Sequence, residues 1–421
     1  MNAARDGLAL GDVAEAIVDC EHKTAPTQER GIPLIRTTDI KSGRLNLKSA
    51  RHVSEETFRT WSRRIEPLPD DIIIAREAPI GEVGIVPPGE RVCLGQRTTL
   101  VRADRNKADP YYLLYLLCTR EIKREMTNHA AGSVVQHLNV QDIRALPLPR
   151  LPELAAQRAV STVLSCLDQK IGLIGRMNTT LVALARAIFT RWFVDFEFPD
   201  VDRRPYKSSG GGLSSSRVGD IPEGWRVGSV LDCADLLSGG TPRTEIAEYW
   251  GGRIKWVSAR DVTAANGTYI VDTERKITKA GMDNSNAKLL PKNATIVTAR
   301  GTVGNYCLLG EPMAINQTNY GLKGKAGYGD YFVFFTVARL VNQMRQRSYG
   351  TVFDTITTQT FSDMEISLPP LALVESFESI IAGIMNRSLG NHLEAGTLAA
   401  TRDGLLPKLM SEKIRVLSEA S

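Results

Sequence analysis

Few side chains in this chain stand at the spacings that catalysis needs. Glu121-Ile122-Lys123 and Glu274-Arg275-Lys276 have the Glu-x-Lys form used by many nucleases, but each lies in an ordinary charged stretch without a matching acidic residue. The five histidines, at 22, 52, 129, 137 and 392, show no metal-ligand spacing, and the six cysteines, at 20, 93, 118, 166, 233 and 307, contain no CxxC pair. A GxxxxGK[ST] phosphate loop, a GxGxxG turn and the Asn/Asp-Pro-Pro-aromatic tetrapeptide of adenine methyltransferases are all missing. No metal site and no resident cofactor are expected, and the chemistry left to this chain is that of binding.

Composition bounds the reading without deciding it. The chain has 421 residues, 43% of them hydrophobic, and a net charge of +5. That length suits two or three domains, and the mild basicity fits a polyanion binder and many ordinary enzymes alike. The cysteine usage suits a reducing compartment, so a cytoplasmic location is expected. No apolar run approaches the roughly 18 residues of a membrane span, so no membrane partner is expected.

The elements that position any binding residues occur twice. Ile254, Val257, Asp261 and Val262 fall on Ile32, Ile35, Asp39 and Ile40 at a constant offset of 222. In the same order, LPDDIIIAREAPIGEVGIV (68–86) matches LPKNATIVTARGTVGNYCLL (290–309), and Gln96 falls on Gln317. AGSVVQHL (131–138) matches YGTVFDTI (349–356), and LPRLPELAAQ (148–157) matches LPPLALVESF (368–377). The chain is therefore two copies of one globular unit, each followed by a helical segment.

The runs at 70–75 and 294–299 are apolar and β-branched, and predict buried strands; 111–129 and 331–349 predict one helix each. Val160, Leu167, Ile174, Leu181 and Ile188, with Leu164, Ile171, Asn178, Ala185 and Trp192, predict a coiled-coil seam. Phe377, Ile384, Leu398 and Leu405, with Ile381, Ala395 and Leu409, predict a less regular second helix that Pro407 breaks or ends. Asn178 and Asn391 are candidate polar layers that set the register. The expected fold class is α+β, with two mixed α/β domains separated by two long antiparallel helices in a pseudo-two-fold arrangement. The expected boundaries are 1–150, helix 151–198, flexible Ser/Gly-rich linker 199–220, 221–370, and second helix with tail 371–421.

With the tandem order established, GDIPEGWRVGSVLDCADLLSGGTP (219–242), WVSARDV (256–262), IVTARGTVG (296–304), REAPIGEVGIV (76–86), LPLPRLPELAAQR (146–158) and FTRWFVDFEF (189–198) carry a family resemblance. The chain resembles the specificity subunits of Type I restriction-modification enzymes over nearly its whole length. REAPIG departs from the more usual ARGTVG, and ELAAQ and ALVES follow the family's acidic pattern only in part.

The resemblance implies two target recognition domains that each read one half of a split, asymmetric double-stranded DNA sequence. It also implies helices that bind two adenine-N6 methyltransferase subunits, and restriction subunits that join them. S-adenosylmethionine, ATP and Mg would belong to those partners. Half-sites on one face of the duplex would be centred about one turn, ~34 Å, apart.

On that basis the base-reading candidates are the polar residues beside the apolar strands. In the first half these are Arg36, Thr37, Thr38, Arg76, Gln96, Arg97, Ser133, Gln136 and His137; in the second, Ser258, Arg260, Thr298, Arg300, Asn316, Gln317, Thr318, Thr351, Asp354 and Thr355. Arg97 corresponds to Thr318 and Gln136 to Asp354, so equivalent loops carry unlike groups. Trp192, Phe193, Phe196 and Phe198 are the candidate methyltransferase contact. The rival readings are a stand-alone nuclease or methyltransferase, which a purified-chain assay would expose, and a scaffold that binds only protein.

Overall fold

The computed structural model describes residues 7–129, 137–265, 267–347 and 355–416. The chain divides into two compact units, Met1–Ile171 with Leu398–Ser421, and Gly172–Thr397. This division cuts both long helices, so each globular half carries pieces of the helical segments that the sequence set apart.

In the first unit a four-stranded antiparallel sheet has the order Ala14–Asp19, Thr98–Ala103, Ile72–Ala75, Val83–Ile85. The Ile72–Ala75 run is fully buried because it is the inner strand of this sheet and both its faces are covered. Ile72 and Ile74 pack with Tyr112, Leu113 and Leu164, whereas Ile73 and Ala75 pack with Ile35, Leu94 and Leu100. The strand's two-residue period thus divides its side chains between two cores, each buried aliphatic side chain contributing about 1.5–3 kcal/mol. A second sheet pairs Ile32–Ile35 antiparallel with Arg51–Val53 and parallel with Cys93–Leu94.

The second unit repeats the plan. Ala234–Ser238, Asn319–Gly324, Thr295–Thr298 and Tyr306–Leu309 form the equivalent antiparallel order, extended by the parallel strand Tyr269–Ile270. Trp250–Val257 pairs antiparallel with Arg275–Ile277 and parallel with Met313–Ile315. Ile296 and Val297 divide between two cores as their counterparts do.

The stretch 111–129 is two helices, Pro110–Leu117 and Arg120–His129, not one. The Thr119 hydroxyl donates to the Leu116 carbonyl at 2.7 Å, while the Thr119 carbonyl accepts the Lys123 amide and opens the next helix. Its counterpart Asp330–Arg347 is continuous.

The long helices are Leu154–Phe193 and Leu371–Met410. Buried Gln157 fastens the first: its Oε1 accepts the Asp109 amide at 2.9 Å and its Nε2 donates to the carbonyls of Pro152 and Lys107. In the first unit Asp168 accepts from Arg402, Arg44 and the Tyr115 hydroxyl, at 2.6, 3.0 and 2.7 Å. In the second unit Asn178 pairs with Asn391, and Phe189 and Phe193 pack on Phe377, so there the two helices run antiparallel.

The seam drifts beyond Asn178: Val182 and Phe189 are buried where Leu181 and Ile188 were expected, and Met385 replaces Ile384. A straight helix of 3.6 residues per turn departs from a seven-residue repeat by about 20° per heptad, which accounts for the one-residue shift. Pro407 neither breaks nor ends the second helix at once: the helix continues to Met410, and Pro407 forgoes only its own bond to the Asp403 carbonyl. By length and composition the Leu154–Phe193 helix is apolar enough to cross a membrane, at mean hydropathy 1.2 over its most apolar stretch, contrary to expectation. Its Val160, Leu164, Ile174, Val182, Ala185 and Phe189 are buried within the two units.

Residues 199–220, expected to be a flexible linker, are anchored within the second unit. Phe198 stacks on Tyr206 and Trp225 at centroid distances of 4.6 and 5.5 Å, the Tyr206 hydroxyl donates to the Gly212 carbonyl, and Leu213–Ser214 pairs with Ile221–Pro222. Ser/Gly content hid the two aromatic anchors that hold the segment.

Candidate nucleic-acid interface

In each unit the loops leaving the sheet meet at one corner. In the first, the Arg76 amide donates to the Arg97 carbonyl at 2.9 Å, and the Leu138 amide donates to the Arg76 carbonyl at 2.9 Å. In the second, the Ala299 amide donates to the Thr318 carbonyl at 2.8 Å, and the Ile356 amide to the Ala299 carbonyl at 3.0 Å. The backbone therefore aligns Arg76 with Ala299, Arg97 with Thr318 and His137 with Thr355. Glu77 then corresponds to Arg300, a reversal of charge at one position. This is the pairing that REAPIG and ARGTVG already give, and it sets the shared Ala-Arg dipeptides, 75–76 and 299–300, one residue out of step.

A connected polar network fills the first corner. Arg76 is 4% exposed; its guanidinium pairs with Asp19, donates to the Leu138 carbonyl at 2.8 Å and donates to His137 Nε2 at 2.5 Å. A guanidinium can only donate, so Nε2 accepts and Nδ1 carries the proton that reaches Glu77 Oε1 at 3.2 Å. The other Glu77 oxygen holds the Arg97 guanidinium at 2.9 Å. Arg97 is 61% exposed and adopts a left-handed backbone, φ 67°, which swings its side chain out beside buried Thr98. Gln96 donates to the His22 carbonyl at 3.0 Å and accepts from the Thr24 hydroxyl at 3.4 Å.

The second corner uses smaller groups. The Thr298 hydroxyl donates to the Thr302 carbonyl at 2.5 Å and accepts the Asn305 amide at 3.0 Å. Asn305 Nδ2 donates to the Thr263 hydroxyl at 3.0 Å. The Thr241 hydroxyl donates to exposed Gln317, as Thr24 does to Gln96. Arg300 is exposed and has no ion-pair partner among the described residues.

The structure thus sorts the expected base readers. Gln96, Arg97 and half-buried His137 gather at the first corner, and Arg300, Gln317 and half-buried Thr318 and Thr355 at the second. Arg76 and Thr298 are corrections: both are buried and spend their polar atoms inside the unit, because the strand end is covered by the loop that follows. Asn316, 9% exposed, is likewise turned inward, accepting from the amide and hydroxyl of Thr318. Arg36 holds Asp39 across the Thr37–Asp39 turn at 3.0 Å, with Thr37 half-buried and Thr38 exposed. Ser258 caps with Asp261, and Arg260, 82% exposed, pairs with Glu274 at 3.3 Å. Ser133, Gln136, Thr351 and Asp354 lie outside the described residues. The sequence reading missed Asp19, Glu77, Thr24 and Thr241; the charge reversal at 77 and 300 was the available signal.

The aromatic run is also corrected. Trp192, Phe193 and Phe198 are 7%, 3% and 9% exposed, and Phe196 is half-buried edge-on to Trp225. Phe193 meets Phe332 and Phe377 at 5.0 Å each. Trp192, Phe193 and Phe198 are spent in the core of the second unit, while half-buried Phe196 keeps part of its surface exposed. Burial pushes the thiols of Cys20 and Cys93 up, the latter to about 12, so neither offers a thiolate near neutral pH.

The family model for the Type I restriction modification DNA specificity domain matches this chain twice, over residues 8–182 and 222–396. The chain belongs to that family and carries two copies of its domain. It is 23% identical over 382 residues to the MjaIX specificity subunit of Methanocaldococcus jannaschii, covering 88% of this chain and 83% of that relative. It is 21% identical over 369 residues to the HindI specificity subunit of Haemophilus influenzae, covering 75% and 80%. The crystal structure of the S subunit of a Type I restriction-modification system from M. genitalium superposes with a TM-score of 0.58 at 12% identity, over 97% of this chain and 98% of that one, which shows a shared fold.

Proposed function

We propose that this chain is a cytoplasmic, non-catalytic reader of a split, asymmetric DNA sequence, each unit contacting one half. It assembles two adenine-N6 methyltransferase subunits and the restriction subunits, which hold S-adenosylmethionine, ATP and Mg. The observation that carries the reading is one backbone corner built twice with unlike polar ends, Glu77, Arg97 and His137 in one unit and Arg300, Thr318 and Thr355 in the other. Common scaffolds with different hydrogen-bonding groups are what discrimination between different base edges requires.

The test uses the complex reconstituted with its methyltransferase subunits. Arg97→Ala should weaken binding to one half-sequence and Arg300→Ala to the other, each by about 1–3 kcal/mol. Equal losses on random DNA for both would assign these arginines to phosphates and remove the support for base reading.

A further inference from the structure

We infer that Glu77 is a positioning residue for sequence discrimination: it holds the Arg97 guanidinium in the orientation from which Arg97 reads a guanine. This inference rests on the proposed function and deepens it.

A carboxylate at a surface that would face DNA is repelled by phosphates, a cost that pairing with a cation offsets. Glu77 is 15% exposed and both its oxygens are engaged, one by Arg97 at 2.9 Å and the other by His137 Nδ1 at 3.2 Å. His137 is oriented in turn by Arg76, which Asp19 and the Leu138 carbonyl hold in place. The chain of contacts runs from the buried strand end outward and stops at one exposed guanidinium. Arg97 has the left-handed backbone that projects it, and the ion pair with Glu77 restricts where its 61% exposed guanidinium points. Bidentate recognition of guanine O6 and N7 depends on the direction of a planar fork, so orientation matters more than charge.

The second unit supports this division of labour. Where Glu77 would stand it has Arg300, and where Arg97 would stand it has Thr318, which turns to Asn316. Orienter and projecting arginine are lost together, and the cation appears at the orienter's own position.

The experiment measures methylation by the reconstituted complex on a set of DNAs, each with a single base pair changed in the preferred sequence. E77Q should relax selectivity roughly tenfold at one G·C pair, in the half read by the first unit, with the other positions and the thermal midpoint unchanged. Arg97→Lys leaves Glu77 in place and keeps the charge but not the fork. It should relax the same pair, which identifies the pair that Arg97 reads; Glu77→Asp, which keeps the charge but shortens the reach, replaces E77Q if that variant folds poorly. Unchanged selectivity in E77Q while Arg97→Lys relaxes the pair, or an equal loss at every base pair, overturns the inference. A wild-type complex with no sequence preference overturns the proposed function as well; a wild-type preference that both variants preserve removes Arg97 as a reader together with the role of Glu77.

Discussion

Asn391 Nδ2 donates to Asn178 Oδ1 at 2.8 Å across the buried seam between the two long helices, at 0% and 4% exposure. Nearby, Asn391 Oδ1, Ser388 Oγ and His392 Nε2 are buried without a hydrogen-bond partner among the described residues. A pair that costs this much desolvation contributes to register more than to stability. Asn178→Leu alone should destabilise the second unit by about 1–3 kcal/mol, since it strands the Asn391 amide. The double change Asn178→Leu/Asn391→Leu should recover at least that loss. Denaturant midpoints check both, and a double variant weaker than the single would remove the register role.

The two arginines that look alike in sequence should behave oppositely. Arg76→Ala leaves the largely buried Asp19 carboxylate with only the Cys20 amide, the Thr99 hydroxyl and His22 beside it, and should cost about 3 kcal/mol. Arg300→Ala, exposed and without an ion-pair partner among the described residues, should stay within about 0.5 kcal/mol of wild type. Thermal unfolding of the isolated chain separates them without any DNA.

Phe193 lies among Phe189, Phe332 and Phe377. Phe193→Ala should cost about 3–5 kcal/mol of stability. Titration of the surviving folded fraction with methyltransferase should give wild-type affinity, and a stable variant with weakened assembly would return this ring to the partner surface.

Glu378 supplies a pH dependence. It stands on the second long helix and accepts the Phe332 amide at 2.7 Å, at the start of the Asp330–Arg347 helix. Burial pushes its carboxyl up to about 7, neighbouring Asp330 adds to the rise, and the Phe332 and Tyr331 amides oppose it. In the unfolded chain a glutamate ionises near pH ~4.3. Between those values the folded state holds the extra proton, so this contribution to stability is complete below the lower pKa and is lost as pH rises through 7. Between pH 5 and pH 8 wild type should lose on the order of 2 kcal/mol relative to Glu378→Gln. Parallel curves for the two proteins would show that Glu378 is not the titrating group.

The duplication, the strands and the long helices were legible in the sequence because they depend on local pattern. Buried strands require contiguous β-branched residues, such as Ile72–Ala75, and a helix seam requires apolar residues every three or four positions. Even the Asn178 and Asn391 layers stood out as polar breaks in that pattern. What a given polar side chain does was not legible. Ala75-Arg76 and Ala299-Arg300 are the same dipeptide, yet one arginine is buried on Asp19 and the other is exposed. The difference lies in which backbone amide meets Arg97 or Thr318, a contact between residues about twenty positions apart in sequence. The aromatic run at 192–198 was legible as apolar, but only the packing of Phe332, Phe377 and Trp225 decided that it faces inward. Hydrophobic periodicity is a property of neighbours along the chain. The direction of a charged or aromatic side chain is set by long-range partners, which tertiary structure alone brings together.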